Sequence, residues 1–262
     1  MSLLDKIESS VKSKHYELYQ FLDFLGNTVI ALVEALRHPF KIRWRETFYY
    51  LEQCGVKSLP IVLIICFLLG TILAFQGALQ LAQFGTQIFI VDLVGWSVLM
   101  ELGPVMVAII ATGRAGSAFA AEIGTMIVDE EVNALNTMGI SVARFLVIPK
   151  LIALSVAMPL LTCFGNIAAL FGGLCIGVTV GDVPMAAYVT RTFNVLTPDA
   201  FLFGVGKSLI FAVIIALVGC FRGLQSTMDA QGVGRSATNA VVTSIFAVVI
   251  SDAIITVLNS LT

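Results

Sequence analysis

Long apolar runs without charge dominate the chain from residue 58 onward. No Asp, Glu, Lys or Arg occurs between Lys57 and Asp92, or between Lys150 and Asp182. An ionised side chain at the centre of a bilayer costs about 2.5–3.5 kcal/mol on the mildest scales, and a helix crosses the hydrocarbon core with about 20 apolar residues. The pattern predicts five transmembrane helices, near residues 58–80, 90–120, 146–178, 200–221 and 237–258.

The pattern before residue 58 is different. Apolar residues recur there at helical spacing between charged ones, at Leu3, Leu4, Ile7 and Val11. The charge-free stretch at 24–33 has only ten residues, which is too short to span a bilayer. We therefore predict amphipathic, interfacial helices over residues 1–45, ended by His38-Pro39, and a five-helix transmembrane domain over residues 46–262. The predicted fold is an all-α integral membrane protein.

Composition agrees with a membrane protein and excludes several function classes. Hydrophobic residues make up 58% of the chain, charged residues 12%, and the mean hydropathy is +0.96. Soluble domains are about 45–50% apolar and about 25% charged. The net charge of −2 does not indicate a nucleic-acid partner. Both histidines, His15 and His38, precede the first span, so we expect no catalytic residue and no metal ligand at membrane depth.

The distribution of Lys and Arg predicts the orientation. Eight basic residues precede the first span, and the loops at 121–145 and 222–236 follow the second and fourth spans with further basic residues. Arg144 and Lys150 are the basic residues that follow the second span. The opposite side has only Arg191. By the positive-inside rule, the N-terminus and both basic loops are cytoplasmic and the C-terminus is on the other side.

A partial nucleotide-binding motif occurs in the fourth span. Gly206-Lys207-Ser208 resembles the end of a P-loop, but the pattern requires Gly at position 201, where this chain has Phe201. The segment also lacks the strand that precedes the loop in that motif. We therefore expect no nucleotide site in this chain, so that any ATP is hydrolysed by a partner.

Five ionisable residues lie in or near the spans: Glu101, Arg114, Glu122, Lys207 and Asp252. Such residues usually face the bundle interior or a cavity. We hypothesise an ion pair between Glu101 and Lys207; the alternative is that each meets solvent or a backbone group separately. Arg114 and Glu122 are eight residues apart, too far for a tight direct bond. We interpret both as structural residues that hold neighbouring helices or the following loop.

Four glutamines are spaced so as to share one helix face at the outer end of the first span: Gln76, Gln80, Gln83 and Gln87. They could line a polar lumen, contact an external partner, or mark a solvated helix end.

Residues 129–139, on the predicted cytoplasmic side, form a candidate short helix. Three acidic residues, 129–131, stand at its N-terminal end, where the helix dipole favours negative charge. Gly139 fits a C-terminal stop and Ser141 can cap the next helix. A short helix between two spans is a geometry that a motor protein can bind.

Several long motifs resemble the MlaE family of ABC-transporter permeases. They are ELGPVMVAIIATGRAGSAFAAEIGTM (101–126), EEVNALNTMGI (130–140), FLVIPKLIA (145–153) and GVGRSATNAVV (232–242). The resemblance extends from about residue 50 to the C-terminus. It implies a homodimer in the bacterial inner membrane, bound to two cytoplasmic ATPases that carry ATP and Mg, with no cofactor in this chain. It also implies a periplasmic ring of MCE-domain lipid-binding proteins, phospholipid transport that maintains outer-membrane asymmetry, and a periplasmic C-terminus.

The resemblance also implies roles for individual residues. The coupling helix that contacts the ATPase corresponds to 130–139, with Glu130, Glu131, Ala134, Leu135, Met138 and Gly139. Glu101 matches the acid of the family's E-L-G-P motif near the lipid pocket, and Met100 stands where some members have arginine. We expect the lipid pathway to include Glu101, Met100, Lys207, Leu73, Gln76, Leu79 and Gln80. Two other functions remain open: an ion-coupled secondary transporter and a non-transporting membrane scaffold.

Overall fold

The computed structural model describes residues 3–38, 40 and 42–261, and within these ranges it leaves the side chains of residues 3–16, 18 and 36 undescribed. The described part is helical and contains no strand. Five of its helical stretches are long and apolar enough to cross a membrane: Trp44–Ala82, Gln87–Val128, Ala143–Thr179, Pro198–Leu224 and Ala230–Leu261. The predicted all-α fold with five spans is confirmed. The stretches are longer than predicted because helices continue past the charged residues that bound the apolar runs.

The individual helices follow one another with short connections. In chain order they are α1 (Leu3–Arg37), α2 (Trp44–Cys54), α3 (Leu59–Ala82), α4 (Ile90–Ser97), α5 (Gly103–Ala111), α6 (Ser117–Val128), α7 (Glu131–Thr137), α8 (Ile148–Thr179), α9 (Met185–Val195), α10 (Pro198–Leu224) and α11 (Ala230–Leu261).

The N-terminal region is one continuous helix, α1, that ends at Arg37, next to the predicted stop. It is not among the five candidate spans of the described residues. The side chains that carry the predicted amphipathic pattern lie outside the described residues. Two ion pairs connect α1 to the bundle, Glu17 to Arg222 at 2.5 Å and Glu34 to Arg144 at 2.8 Å.

Glycines allow α3 and α8 to pack at backbone contact. A Cβ atom added at Gly70 would lie 1.9 Å from the carbonyl oxygen of Ala169, and one at Gly172 would lie 2.2 Å from that of Phe67. In a membrane, where lipid supplies no hydrophobic force between helices, small residues stabilise such contacts. The α3–α8 contact is the most extensive contact between two helices in the described part of the chain.

The second span is interrupted by two π-helical turns, Val98–Leu102 and Thr112–Gly116. Pro104 follows the first turn and has no backbone N–H, so the regular α-helical hydrogen bonding cannot continue through it. A π turn inserts one extra residue and occurs frequently at functional sites. Both turns carry a charged residue, Glu101 in the first and Arg114 in the second.

Candidate functional site

A buried ammonium group lies between three helices in the bundle. The Nζ atom of Lys207 is 2.6 Å from Glu101 Oε2, 2.8 Å from Asp252 Oδ1 and 2.8 Å from Thr256 Oγ1. The Thr256 hydroxyl donates to Glu101 Oε1 at 2.9 Å. The predicted contact between Glu101 and Lys207 is therefore present, and Asp252 and Thr256 complete it. We refer to these four residues as the Lys207 cluster.

Local structure explains how the cluster forms. Asp252 and Thr256 are four residues apart on α11 and share one face. Gly204 allows α10 to contact the first π turn, because a Cβ atom there would lie 2.0 Å from the carbonyl oxygen of Leu99. Lys207, one turn further along α10, therefore reaches Glu101.

The cluster satisfies the lysine but carries an excess negative charge. Three oxygen atoms accept from the three N–H groups of an ammonium whose side chain is 1% exposed. Two carboxylates face one cation, and they are partly accessible, with side-chain exposures of 34% for Glu101 and 21% for Asp252. The arrangement can offer hydrogen-bond acceptors to a polar group that approaches from outside the chain.

A second buried cation lies at Lys150 on α8. Its fully buried ammonium is 2.8 Å from the Tyr50 hydroxyl and 3.1 Å from Glu122 Oε1, and the Tyr50 hydroxyl donates to Glu122 at 2.5 Å. Glu122 therefore connects α6 to α8 and α2, in agreement with its structural interpretation. Lys150 counts in the orientation argument as one of the basic residues after the second span, but it lies inside the predicted third span and its side chain is buried in the bundle.

Arg114 differs from Glu122 in its contacts with neighbouring helices. Its side chain is exposed, and within the described part of the chain it makes neither a hydrogen bond nor an ion pair. It therefore does not hold a neighbouring helix through a polar contact, contrary to the structural role expected from the sequence.

The glutamine face is shorter than its spacing predicts. Gln76, Gln80 and Gln83 are exposed at the end of the first span, but α3 ends at Ala82. The backbone then turns through a left-handed glycine, so the fourth glutamine, Gln87, belongs to the next element and is half-buried.

The apolar residues expected to line a pathway are divided between surface and core. Leu79 is exposed beside the glutamine face, whereas Leu73 is half-buried and packs against the core. Met100 is half-buried beside Glu101. The structure does not bring the α3 residues together with the Lys207 cluster through any side-chain hydrogen bond among the described residues.

The short helix α7 is narrower than the predicted range of 129–139. It is preceded by Glu130, with a φ of 59°, and followed by Gly139, with a φ of 71°, which fits the predicted stop. Ala134 and Met138 are exposed, as are Glu130 and Glu131. Leu135 is buried and packs with Val132 and Leu146. Leu135 therefore lies beneath the exposed surface of α7, and its role in ATPase coupling stays a prediction.

Sequence reasoning missed a polar contact at the opposite end of the bundle. Arg191 on α9 binds Asp92 on α4 through two nitrogens, with Nε–Oδ1 at 2.8 Å and Nη2–Oδ2 at 2.5 Å. Its guanidinium lies 4.4 Å from the centre of the Phe89 ring. The hydrogen bond to the carboxylate raises the pKa of Arg191. Arg191 is the single Lys or Arg in the sequence between Lys150 and Lys207, and an isolated cation of this kind is the signal that could have indicated such a partner.

Comparison with known proteins identifies the family. Residues 47–258 match the family described as Permease MlaE. A "Probable ABC transporter permease protein" of Rickettsia bellii is 39% identical over 97% of this chain and 98% of its own length. A protein of the same description from Synechocystis is 36% identical over 81% of each chain. Protein TRIGALACTOSYLDIACYLGLYCEROL 1, chloroplastic, of Arabidopsis thaliana is 33% identical over 87% of this chain and 63% of its own. The chain therefore belongs to the MlaE family of permeases.

Proposed function

We propose that this permease is the membrane subunit of an ATP-driven transporter that moves phospholipids between the bacterial inner membrane and a periplasmic MCE-domain protein, and so maintains outer-membrane lipid asymmetry. The observation that carries the proposal is the Lys207 cluster. It places charged groups within the second, fourth and fifth spans, which are mostly apolar. An amphiphilic substrate needs both kinds of surface.

The depth of the cluster follows from the length of the second span. Its 42 residues extend over about 63 Å at about 1.5 Å per residue, about twice the hydrocarbon thickness of about 30 Å. Glu101 is about 21 Å from Gln87, the outer end in the proposed orientation. A centred span therefore places Glu101 inside the hydrocarbon, near its outer boundary, where a headgroup can be accommodated only by polar contacts.

Apolar surface for acyl chains lies next to the cluster. On α11, Ile254 and Val257 flank Asp252 and Thr256 and are exposed. The same helix exposes Phe246 and other large apolar residues. In the proposed homodimer, α11 contributes to a shared lipid pathway. The name of the Arabidopsis relative, which contains that of a diacylglycerol glycolipid, supports a lipid as substrate.

Energy comes from a separate cytoplasmic ATPase in this proposal. The ABC-transporter description of the relatives supports such a partner. Helix α7 provides the attachment point: it is fixed to the bundle through Val132 and Leu135 and exposes Ala134 and Met138. ATP and Mg are bound by the ATPase, and an MCE-domain protein receives or delivers lipid on the periplasmic side.

Reconstitution with the partner ATPase tests the proposal, with two methionines as a matched pair. Met138, next to α7, and Met228, between α10 and α11, are both 64% exposed. We expect Met138→Asp to lower co-purification of the ATPase at least tenfold and to stop ATP-dependent lipid transfer between vesicles. Met228→Asp should leave both unchanged.

Three results would refute the proposal. Lipid transfer driven by an ion gradient without ATP would establish the ion-coupled transporter instead. ATPase binding without transfer of any lipid would leave a scaffold. Equal effects of the two methionine variants would remove α7 as the site of ATPase binding.

A further inference from the structure

Arg114 is an exposed cation inside a membrane span. It is about 40 Å from Gln87 along a second span of about 63 Å, which places it inside a centred hydrocarbon core, near the boundary opposite to that of Glu101. An arginine at this depth is costly unless it finds an anionic or hydrogen-bonding partner. Within the described part of the chain it has no such partner.

The carboxylates at membrane depth are already engaged. Glu101 and Asp252 contact Lys207, and Glu122 contacts Lys150. An anion supplied from outside the protein can therefore serve as the partner of the Arg114 guanidinium.

A cavity of about 310 Å³ opens beside Arg114, between α2 and α6. Its α2 wall contributes the side chains of Tyr49 and Gln53, which can donate hydrogen bonds, and its α6 wall includes the apolar Ala118. The adjacent Gly113 adds no obstruction, because a Cβ atom there would have nothing within 4 Å. The cavity thus combines donors with space for a group at the guanidinium.

The charge around the cavity favours an anion. Arg114 and Glu122 both line it, and the ammonium of Lys150 lies directly behind Glu122, at 3.1 Å. Two cations and one carboxylate leave a net charge of +1. Glu122 Oε1 accepts from both Tyr50 and Lys150, so this carboxylate is already paired with a cation.

We propose that Arg114, with Tyr49 and Gln53, binds the phosphate of an anionic lipid headgroup in the cavity between α2 and α6. A planar guanidinium matches two phosphate oxygens with parallel hydrogen bonds. This site is separate from the Lys207 cluster, because Arg114 is about 20 Å from Glu101 along the second span. The inference does not require that ATP drives transport. In the proposed orientation it concerns the cytoplasmic leaflet, to which the basic end of α2 is adjacent.

Native mass spectrometry of the detergent-purified full chain tests the proposal, since it counts each bound lipid. The probes are phosphatidylglycerol, diacylglycerol with the same acyl chains, and inorganic phosphate. We expect the wild type to retain one phosphatidylglycerol at least tenfold more tightly than diacylglycerol. Arg114→Gln should lower that affinity about tenfold, as expected for loss of a charge-assisted hydrogen bond, and Arg114→Lys should lower it less.

Two further variants control for charge and folding. Arg235→Gln removes an exposed cation whose hydrogen bond is to Gln231, away from the cavity, and should bind as the wild type does. Tyr49→Phe removes one donor without a change of charge and should weaken binding two- to fivefold, on the order of one neutral hydrogen bond. If Arg114→Gln fails to fold, the variants Arg114→Lys, Tyr49→Phe and Arg235→Gln still test the proposal.

Specific results would overturn the proposal. They are wild-type affinity in Arg114→Gln, an equal loss in Arg235→Gln, or equal retention of diacylglycerol and phosphatidylglycerol by the wild type. If millimolar inorganic phosphate displaces the lipid, the site binds a free phosphate anion, and the proposal that it binds a lipid headgroup is refuted.

Discussion

Replacement of Lys207 by methionine gives the most direct measure of the charge cluster. Methionine preserves much of the length and volume of the side chain but removes the ammonium. Glu101 and Asp252 would then be left together in a site that was built around a cation. Removal of one partner of a buried ion pair typically costs about 3–5 kcal/mol, because the remaining charge is uncompensated.

The structure indicates that the cost of Lys207→Met lies at the lower end of the range of about 3–5 kcal/mol. The lysine is almost completely buried, but the Glu101 side chain is 34% exposed and can regain contacts with polar surroundings. We therefore expect a loss of about 3 kcal/mol in the free energy of unfolding, a change of about two orders of magnitude in the equilibrium constant. Asp252→Asn in the same chain should recover part of the loss, because it removes one of the two opposed carboxylates.

Unfolding in mixed micelles with increasing denaturing detergent, followed by Trp96 fluorescence, measures the change. Lys57→Met is the control, since Lys57 is exposed and lies 3.6 Å from Glu52 in a surface pair; it should cost less than about 1 kcal/mol. A cost below about 1 kcal/mol for Lys207→Met, or no recovery with Asp252→Asn, would refute the reasoning.

Three further substitutions test packing and hydrogen bonding by the same unfolding measurement. Gly70→Ala should lower the free energy of unfolding by about 1–3 kcal/mol, because the new methyl group forces α3 away from the Ala169 carbonyl. Gly206→Ala is the control and should not destabilise the protein, because its methyl group meets open space. Equal effects of the two variants would contradict the packing argument. Tyr50→Phe should cost about 1–3 kcal/mol, since a buried ammonium and a carboxylate lose a shared partner; a cost under about 0.5 kcal/mol argues against this. Arg191→Met should change the free energy of unfolding little and lose that effect at high salt, whereas a large, salt-independent loss would contradict a surface pair.

The five spans could be predicted because the cost of charge in hydrocarbon controls where charges occur along the chain. The Glu101–Lys207 contact could also be hypothesised, because few charges lie at that depth. The contribution of Asp252 could not, since the sequence does not state which helices are neighbours. Its signal was present in the i, i+4 spacing of Asp252 and Thr256 within an uncharged run.

Other errors had a common physical origin. The burial of Lys150 was not predicted, because a lysine is almost never fully buried unless it is paired. Its partner Glu122 is 28 residues earlier in the chain and becomes a neighbour only because α7 reverses the chain between α6 and α8. The two π turns also shift the side-chain faces of the second span, so that a single 3.6-residue period cannot follow them. For this reason the exposure of Arg114 was not evident from spacing.

The two attachments of α1 have a mechanical consequence. Glu17 and Glu34 lie about 26 Å apart along that helix, and their arginine partners belong to the fourth and third spans respectively. A rigid helix that is bound at two points cannot follow the third and fourth spans if they tilt by different amounts. Helix α1 must therefore oppose such a relative tilt or lose one of its two ion pairs, so it restrains the third span against the fourth.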